Sequence, residues 1–297
     1  MNEFVLALLK CSKIGNTKAY EFIKQNKFDI NNMKTNLKDF IGESEFQKFD
    51  DYKQDAANEI ERNKVAGISI ITIMDDRFPA KLFTISDPVL YLYYKGNIDL
   101  INSKSVAVIG TRHPKEESIM YTNEVTSLIV KKGYSIVGGL ALGIDTVGHQ
   151  SAINNGGKTI AVMPTGLDNI QPISNKKLAD EILKHNGCLV SEYSVGTIIN
   201  TFNYAKRDRI QAALSNAIFV GEATEKSGTM IAVNKAIQEK KYVFQLDTNN
   251  NSIIKNTISS NYDNIEDLFS AVEINSKIEI NKKKIIDTKI GKQISLF

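Results

Sequence analysis

Five short segments bring together residue types that can hold an anion. Gly110-Thr111-Arg112 follows the apolar run SVAVI and offers a small residue, a hydroxyl and a guanidinium side by side, a set suited to phosphate. A Gly-Thr turn with a surface arginine is the competing reading. Gly138-Gly139-Leu140-Ala141-Leu142-Gly143-Ile144-Asp145 places three glycines after a second apolar run, where missing side chains let backbone amides approach an oxyanion. Met163-Pro164-Thr165-Gly166-Leu167-Asp168 closes a third run with turn residues. Asn203-Tyr204-Ala205-Lys206-Arg207-Asp208-Arg209 sets an aromatic ring beside three cations, the mixture that binds a single strand by stacking and phosphate neutralisation. A solvated helix start is the plainer alternative. Glu222-Ala223-Thr224-Glu225-Lys226-Ser227-Gly228-Thr229 again offers hydroxyls and free amides where a helix begins.

Acid/base chemistry has one weak candidate. Asp145 and His149 are four apart and share a helix face, but no nucleophile accompanies them. We read Asp145 as the cap of a helix running to Asn155 and His149 as a packed side chain, and assign no catalytic residue. The dinucleotide fingerprint G-x-G-x-x-G is absent after the SVAVI run, so no cofactor is expected. Cys11 and Cys188 lack neighbours at metal-ligand spacing and read as small buried hydrophobes, which leaves neither a disulfide scaffold nor a metal site.

The elements that must position these loops are legible as periodicity. From Ser105 on, SVAVIG, YSIVGGL, KTIAVM, GCLVSEY, NAIFVGEA and YVFQLD alternate with helical stretches such as Glu117 to Lys131. Six strands with intervening helices predict an α/β fold with a doubly wound, mostly parallel sheet. In such sheets ligands gather at the strands' carboxyl ends, and four of the five loops follow strands; one anion-binding rim explains them together. Two further β-like runs, Ile68 to Ile73 and Val89 to Tyr94, precede this region. Residues 1–65 show helical spacing with breaks at Gly15 and Asn31-Asn32, which predicts a small helical domain. The expected organisation is residues 1–65, 66–274 and a flexible tail over 275–297, with one short helix around Ile265 to Val272.

The chain of 297 residues is 42% hydrophobic, ample for a core, and its net charge of +3 leaves any nucleic-acid surface to local clustering. The apolar run Phe4 to Leu9 is too short for a membrane span and lacks a basic flank, so a cytoplasmic protein is expected.

Taken in order, the segments resemble the DNA-processing protein A (DprA/Smf) family over roughly residues 68–247. The motifs stand here as Gly110-Thr111-Arg112, Gly138 to Asp145 with His149, Thr159 to Asp168, Tyr204 to Ile210, and Glu222 to Thr229. The resemblance implies an extended Rossmann-like fold behind a sterile-alpha-motif-like helical domain. It also implies single-stranded DNA binding, a homodimer, and loading of a recombinase (RecA) during natural transformation. By the same match Arg112, Lys206, Arg207 and Arg209 become the DNA-phosphate residues, with Gly110, Thr111, Gly138, Gly139, Ser227 and Gly228 shaping the pocket; Lys226 joins them on charge alone. Three departures stand out. Asp208 replaces an Asn between two arginines, Ala205 replaces a Pro, and Leu246-Asp247 stands where Pro-Gly is usual. A C-terminal winged-helix domain, carried by many relatives, is not expected in the residues after about 275.

The runner-up reading is a nucleotide sensor or nucleotide-processing enzyme of the same superfamily, including a role in defence against foreign DNA. Ser12 to Ala19 faintly resembles a helix-hairpin-helix turn, with a simple helix connector as the alternative. The last five residues, Gln293-Ile294-Ser295-Leu296-Phe297, resemble the bacterial sliding-clamp-binding peptide and follow a stretch with six lysines between Lys277 and Lys292. A tail that folds back on the protein is the alternative there.

Overall fold

The computed structural model describes residues 1–223, 227–245 and 265–289. Lys226, the Leu246-Asp247 departure and the peptide Gln293 to Phe297 lie outside the described residues. The chain divides into two compact units at Tyr93/Tyr94 rather than near residue 65, and the described residues after 277 group with the first unit.

The first unit opens with five helices, α1 (Asn2–Lys10), α2 (Asn16–Gln25), α3 (Ile30–Ile41), α4 (Glu43–Gln47) and α5 (Phe49–Val65). Phe4, Val5 and Leu8 of α1 are buried, and Phe4 meets Phe49 of α5 edge to face at 5.3 Å between ring centroids. Gly15 is the N-cap of α2, as its place in the sequence predicts. The second break lies earlier than expected: Asp29 caps α3, its carboxylate accepting from the amides of Asn31 and Asn32, so those asparagines form the helix's first turn instead of interrupting it. Then come β1 (Ser69–Thr72), α6 (Ala80–Phe83) and β2 (Tyr91–Gly96), with β1 beside β2.

In the second unit β3 (Ser105–Gly110), α7 (Glu116–Lys131), β4 (Ser135–Gly138), α8 (Ile144–Asn154) and β5 (Thr159–Val162) alternate. They are followed by α9 (Lys176–Lys184), β6 (Cys188–Ser191), α10 (Thr201–Leu214), β7 (Ala217–Glu222), α11 (Thr229–Gln238), β8 (Tyr242–Gln245) and α12 (Ile265–Lys289), of which the residues up to Lys277 belong to this unit. All six predicted strands are present. Their order is β6-β5-β4-β3-β7-β8, and every pairing among them is parallel. The fold is therefore α/β with a parallel, Rossmann-like sheet. Strands covered on both faces need apolar residues at every position, and β3, β4, β5 and β6 are buried over all or nearly all of their length.

Val106 and Val108 of β3 point into a core with Val125 and Ile129 of α7, Phe219 of β7, and Leu268, Phe269 and Val272 of α12. Where sequence led us to expect flexible chain from about residue 275, α12 continues to Lys289. Asn275 shows what holds it: the side chain is buried and donates to the Asn216 carbonyl at 2.7 Å. No helix among the described residues is long and apolar enough to cross a membrane.

Candidate functional site

From β3 the chain winds outward through β4, β5 and β6, then crosses back to β7 on β3's other side. The loops leaving the carboxyl ends of β3 and its neighbours part at that point, and a crevice must open between them. A cavity of about 480 Å³ lies there. Its walls come from Gly110 to His113 after β3, Ala141 and Asp145 after β4, Thr201, Tyr204, Ala205 and Asp208 of α10, and Ser227 to Thr229 at the start of α11. Four of the five segments singled out in sequence thus converge on one cavity; Met163 to Asp168 is not among its walls.

The β3 loop is fixed from both sides. The Thr111 amide donates to the Glu222 carbonyl at 2.7 Å across a register shift at Ile109/Gly110, and the Thr111 carbonyl accepts from Ile144 at the start of α8 at 3.1 Å. Gly143, at φ +75°, is the N-cap of α8; a Cβ there would strike the Thr111 and Arg112 backbone. Asp145 is accordingly not the cap that its sequence position suggested. Its Oδ2 turns back to accept from the Gly139 amide at 2.7 Å, which ties the glycine-rich loop to α8. Asn175, which the sequence did not single out, holds that loop too, its buried amide donating to the Leu140 carbonyl at 2.9 Å and the Thr146 hydroxyl at 2.8 Å.

The four candidate cations separate into two pairs. Arg112 is exposed, has no ion-pair partner among the described residues, and its guanidinium lies 5.7 Å from the centre of the Tyr204 ring. Lys206, two residues past Tyr204 on α10 and half-buried, is likewise without an ion-pair partner among the described residues. Arg207 and Arg209 are each only 5% exposed. Arg207 Nη1 donates to the Val162 carbonyl at 2.6 Å, and its Nε lies 3.1 Å from Asp208. Arg209 Nη2 donates to Glu192 at 2.8 Å. Arg207 touches the cavity from below, and Arg209 is not among its walls. The expected role of these two as direct phosphate ligands thus meets a physical obstacle: their charge is already matched by a carbonyl and carboxylates inside the protein.

Gly138 and Gly139 do not line the cavity. They make room for side chains beneath it, since a Cβ on Gly138 would press on the His149 ring and one on Gly139 would fall inside the Arg207 guanidinium. His149 is fully buried, shares a 2.6 Å hydrogen bond with Thr159, and burial pulls its pKa down to about 3, so it stays neutral. Burial also raises the Asp145 pKa against the pull of Arg207. Asp208, buried beside both groups, is pushed up to about 6, chiefly by desolvation. The cavity thus has Arg112 and hydroxyl side chains on its walls beside the carboxyl groups of Asp145 and Asp208, an arrangement that can hold an anion; among the described residues it offers no nucleophile paired with a base.

The chain is similar to known proteins in sequence and in fold. The family model for the DNA recombination-mediator protein A matches residues 69–273. The DNA processing protein DprA of Streptococcus pneumoniae is 39% identical over 175 residues, 59% of this chain and 61% of that protein. The Smf protein of a Synechocystis species is 37% identical over 191 residues, 63% of this chain and 48% of that protein. The chain therefore spans about half to three fifths of the length of these relatives. Among solved structures, that of DNA processing protein A from Streptococcus pneumoniae matches with a TM-score of 0.71 at 28% identity, covering 95% of this chain and 93% of that one. The Helicobacter pylori DNA processing protein A, solved for its single-stranded DNA binding mode, matches with a TM-score of 0.59 at 27% identity, covering 69% of this chain and 96% of that one. With the family model covering more than half of its length, the chain belongs to the DNA recombination-mediator protein A family.

Proposed function

We propose that this protein binds single-stranded DNA without catalysis, with the strand's phosphates at the mouth of the switch-point cavity. The observation that carries the reading is Arg112, a guanidinium without an ion-pair partner among the described residues, 5.7 Å from the Tyr204 ring centre in the wall of a cavity lined by glycine, hydroxyl and helix-start backbone. Lys206 extends the positive edge along α10, while Gly110, Thr111, Ser227 and Gly228 shape the pocket. The Helicobacter pylori relative solved for its single-stranded DNA binding mode supports this choice of ligand. Titrating a fluorescent single-stranded oligonucleotide at two salt concentrations, with a duplex and a mononucleotide as controls, tests it. Tight binding of the oligonucleotide that weakens steeply with salt is expected. Preference for the mononucleotide would move the protein to the nucleotide-sensor reading.

For the biological setting we propose, from the sequence resemblance, a cytoplasmic DNA-processing role with a recombinase (RecA) as a partner and a second copy of the chain in a homodimer. Clamp binding rests on the letters of Gln293, Ile294, Ser295, Leu296 and Phe297 alone. Removing those five residues is expected to abolish pull-down by the sliding clamp.

Asp208 gives the binding a pH dependence of known sign. Its carboxylate lines the cavity, faces Asp145, Arg207 and Arg112, and is ionised above a pKa of about 6, so it opposes a bound anion at neutral pH and ceases to do so as pH falls. One charge at the cavity floor corresponds to about a fivefold change in affinity after screening. His113 shares the cavity wall, so the variant is the cleaner readout than the pH profile alone. Asp208→Asn is expected to bind the oligonucleotide about fivefold tighter than the parent at pH 7.5 and equally at pH 5; a ratio that does not change with pH would remove Asp208 from the site.

A further inference from the structure

Phe202 is the feature of the surface that the cavity leaves unexplained. It is 73% exposed, a large apolar side chain held in water on the first turn of α10. The turn beneath it is well anchored: the Asn200 side chain accepts from the Asn203 amide at 3.1 Å, and Asn203 Nδ2 donates to the Pro164 carbonyl at 3.2 Å. Its exposure is therefore built into a fixed helix start.

The periodicity of α10 says where Phe202 faces. Thr201, Tyr204, Ala205 and Asp208 line the cavity, three or four residues apart, on one stripe of the helix. Phe202 and Lys206, also four apart, form the next stripe, about 130° around the helix axis from the centre of that one. That stripe presents an aromatic face one turn from a lysine without an ion-pair partner among the described residues. Ile198, 88% exposed, lies just before it in the chain. An aromatic beside a free cation fits one nucleotide, with the base stacked on the ring and the phosphate on the ammonium.

We infer that Phe202 and Lys206 form a second nucleotide subsite, across which a single strand leaves the cavity, with a base of any identity stacked on the Phe202 ring. The inference rests on the DNA-binding reading and extends it from one phosphate pocket to a path along α10. A second copy of this chain is the other occupant that could cover Phe202, and the test separates the two.

The chain has no tryptophan, so Phe202→Trp introduces a single indole that can be excited apart from the tyrosines. The variant is expected to show quenched indole emission when a thymidine oligonucleotide binds. Phe202→Ala is expected to lose about tenfold in affinity for that oligonucleotide, and less for one carrying abasic positions, which has phosphates but nothing to stack. An indole signal that ignores DNA, together with parental affinity in Phe202→Ala, would overturn the subsite while leaving cavity binding intact. An indole signal that instead follows protein concentration would assign Phe202 to contact between copies and overturn it equally. Failure of the parent protein to bind any oligonucleotide would fall on the DNA-binding reading itself.

Discussion

Replacing Arg112 and Lys206 together by alanine is expected to weaken single-stranded DNA binding roughly 100-fold at moderate salt, on the basis of about one tenfold step for each charge-assisted phosphate contact removed. Both side chains lack an ion-pair partner among the described residues, so neither has to abandon an internal carboxylate to reach a phosphate. Neither is fully buried, so their loss should leave the unfolding midpoint within a degree or two of the parent. The salt dependence should change along with the affinity. Each lost phosphate contact on a single strand lowers the slope of log affinity against log salt by about 0.7, so the double variant should show a slope shallower by about 1.4. The loss should be the same for all base sequences, because phosphate contacts carry no sequence information. A double variant with parental affinity and slope would place the strand elsewhere on the protein.

That this pair is the one without an ion-pair partner among the described residues could be seen only in part from the sequence. The strands were legible because a parallel sheet covered on both faces writes itself as uninterrupted apolar runs, and Val106 to Ile109 or Ala217 to Val220 fit no surface element. The rim was legible because glycines and hydroxyls recur where those runs end. Which cation is free was harder to see, since Lys206, Arg207 and Arg209 are near neighbours in the chain and alike in charge. The answer depends on where the sheet lies relative to α10. One signal was available: Asn203, Arg207, Ile210 and Leu214 recur at helical spacing, and two aliphatic residues on that stripe mark it as the inward one. Glu192, the partner of Arg209, sits 17 residues away at the end of β6, and nothing local to α10 announces it. The full length of α12 was hidden for a similar reason. Its polar, asparagine- and lysine-rich sequence reads as loose chain until Asn275 meets the Asn216 carbonyl.

Arg207→Ala should act on the fold before it acts on the ligand. The guanidinium passes below the glycine-rich loop, donates to the Val162 carbonyl at the end of β5, and balances Asp208 and Asp145 in a setting where neither carboxylate is well hydrated. Removing it leaves two carboxyl groups that face only the exposed Arg112, and a carbonyl short of its donor, close to the situation in which breaking a buried pair costs about 3–5 kcal/mol. For a chain of this size that corresponds to a fall in the thermal midpoint on the order of 10 °C. The sign with pH follows from the same groups. Without Arg207 the folded-state pKa of both carboxyls rises further above the unfolded value, so the folded form binds more protons than the unfolded one over a wider range. The deficit should therefore be largest at pH 8 and shrink toward pH 5, where the carboxyls can protonate in place. Gly139→Ala offers an independent route to the same displacement, because its Cβ needs the space that the guanidinium fills. It should reproduce the loss of stability with Arg207 still present, and the two substitutions combined should cost less than the sum of each alone. Full additivity would mean that Gly139 and Arg207 act separately, and a stable Arg207→Ala protein that no longer binds DNA would return Arg207 to the role of phosphate ligand.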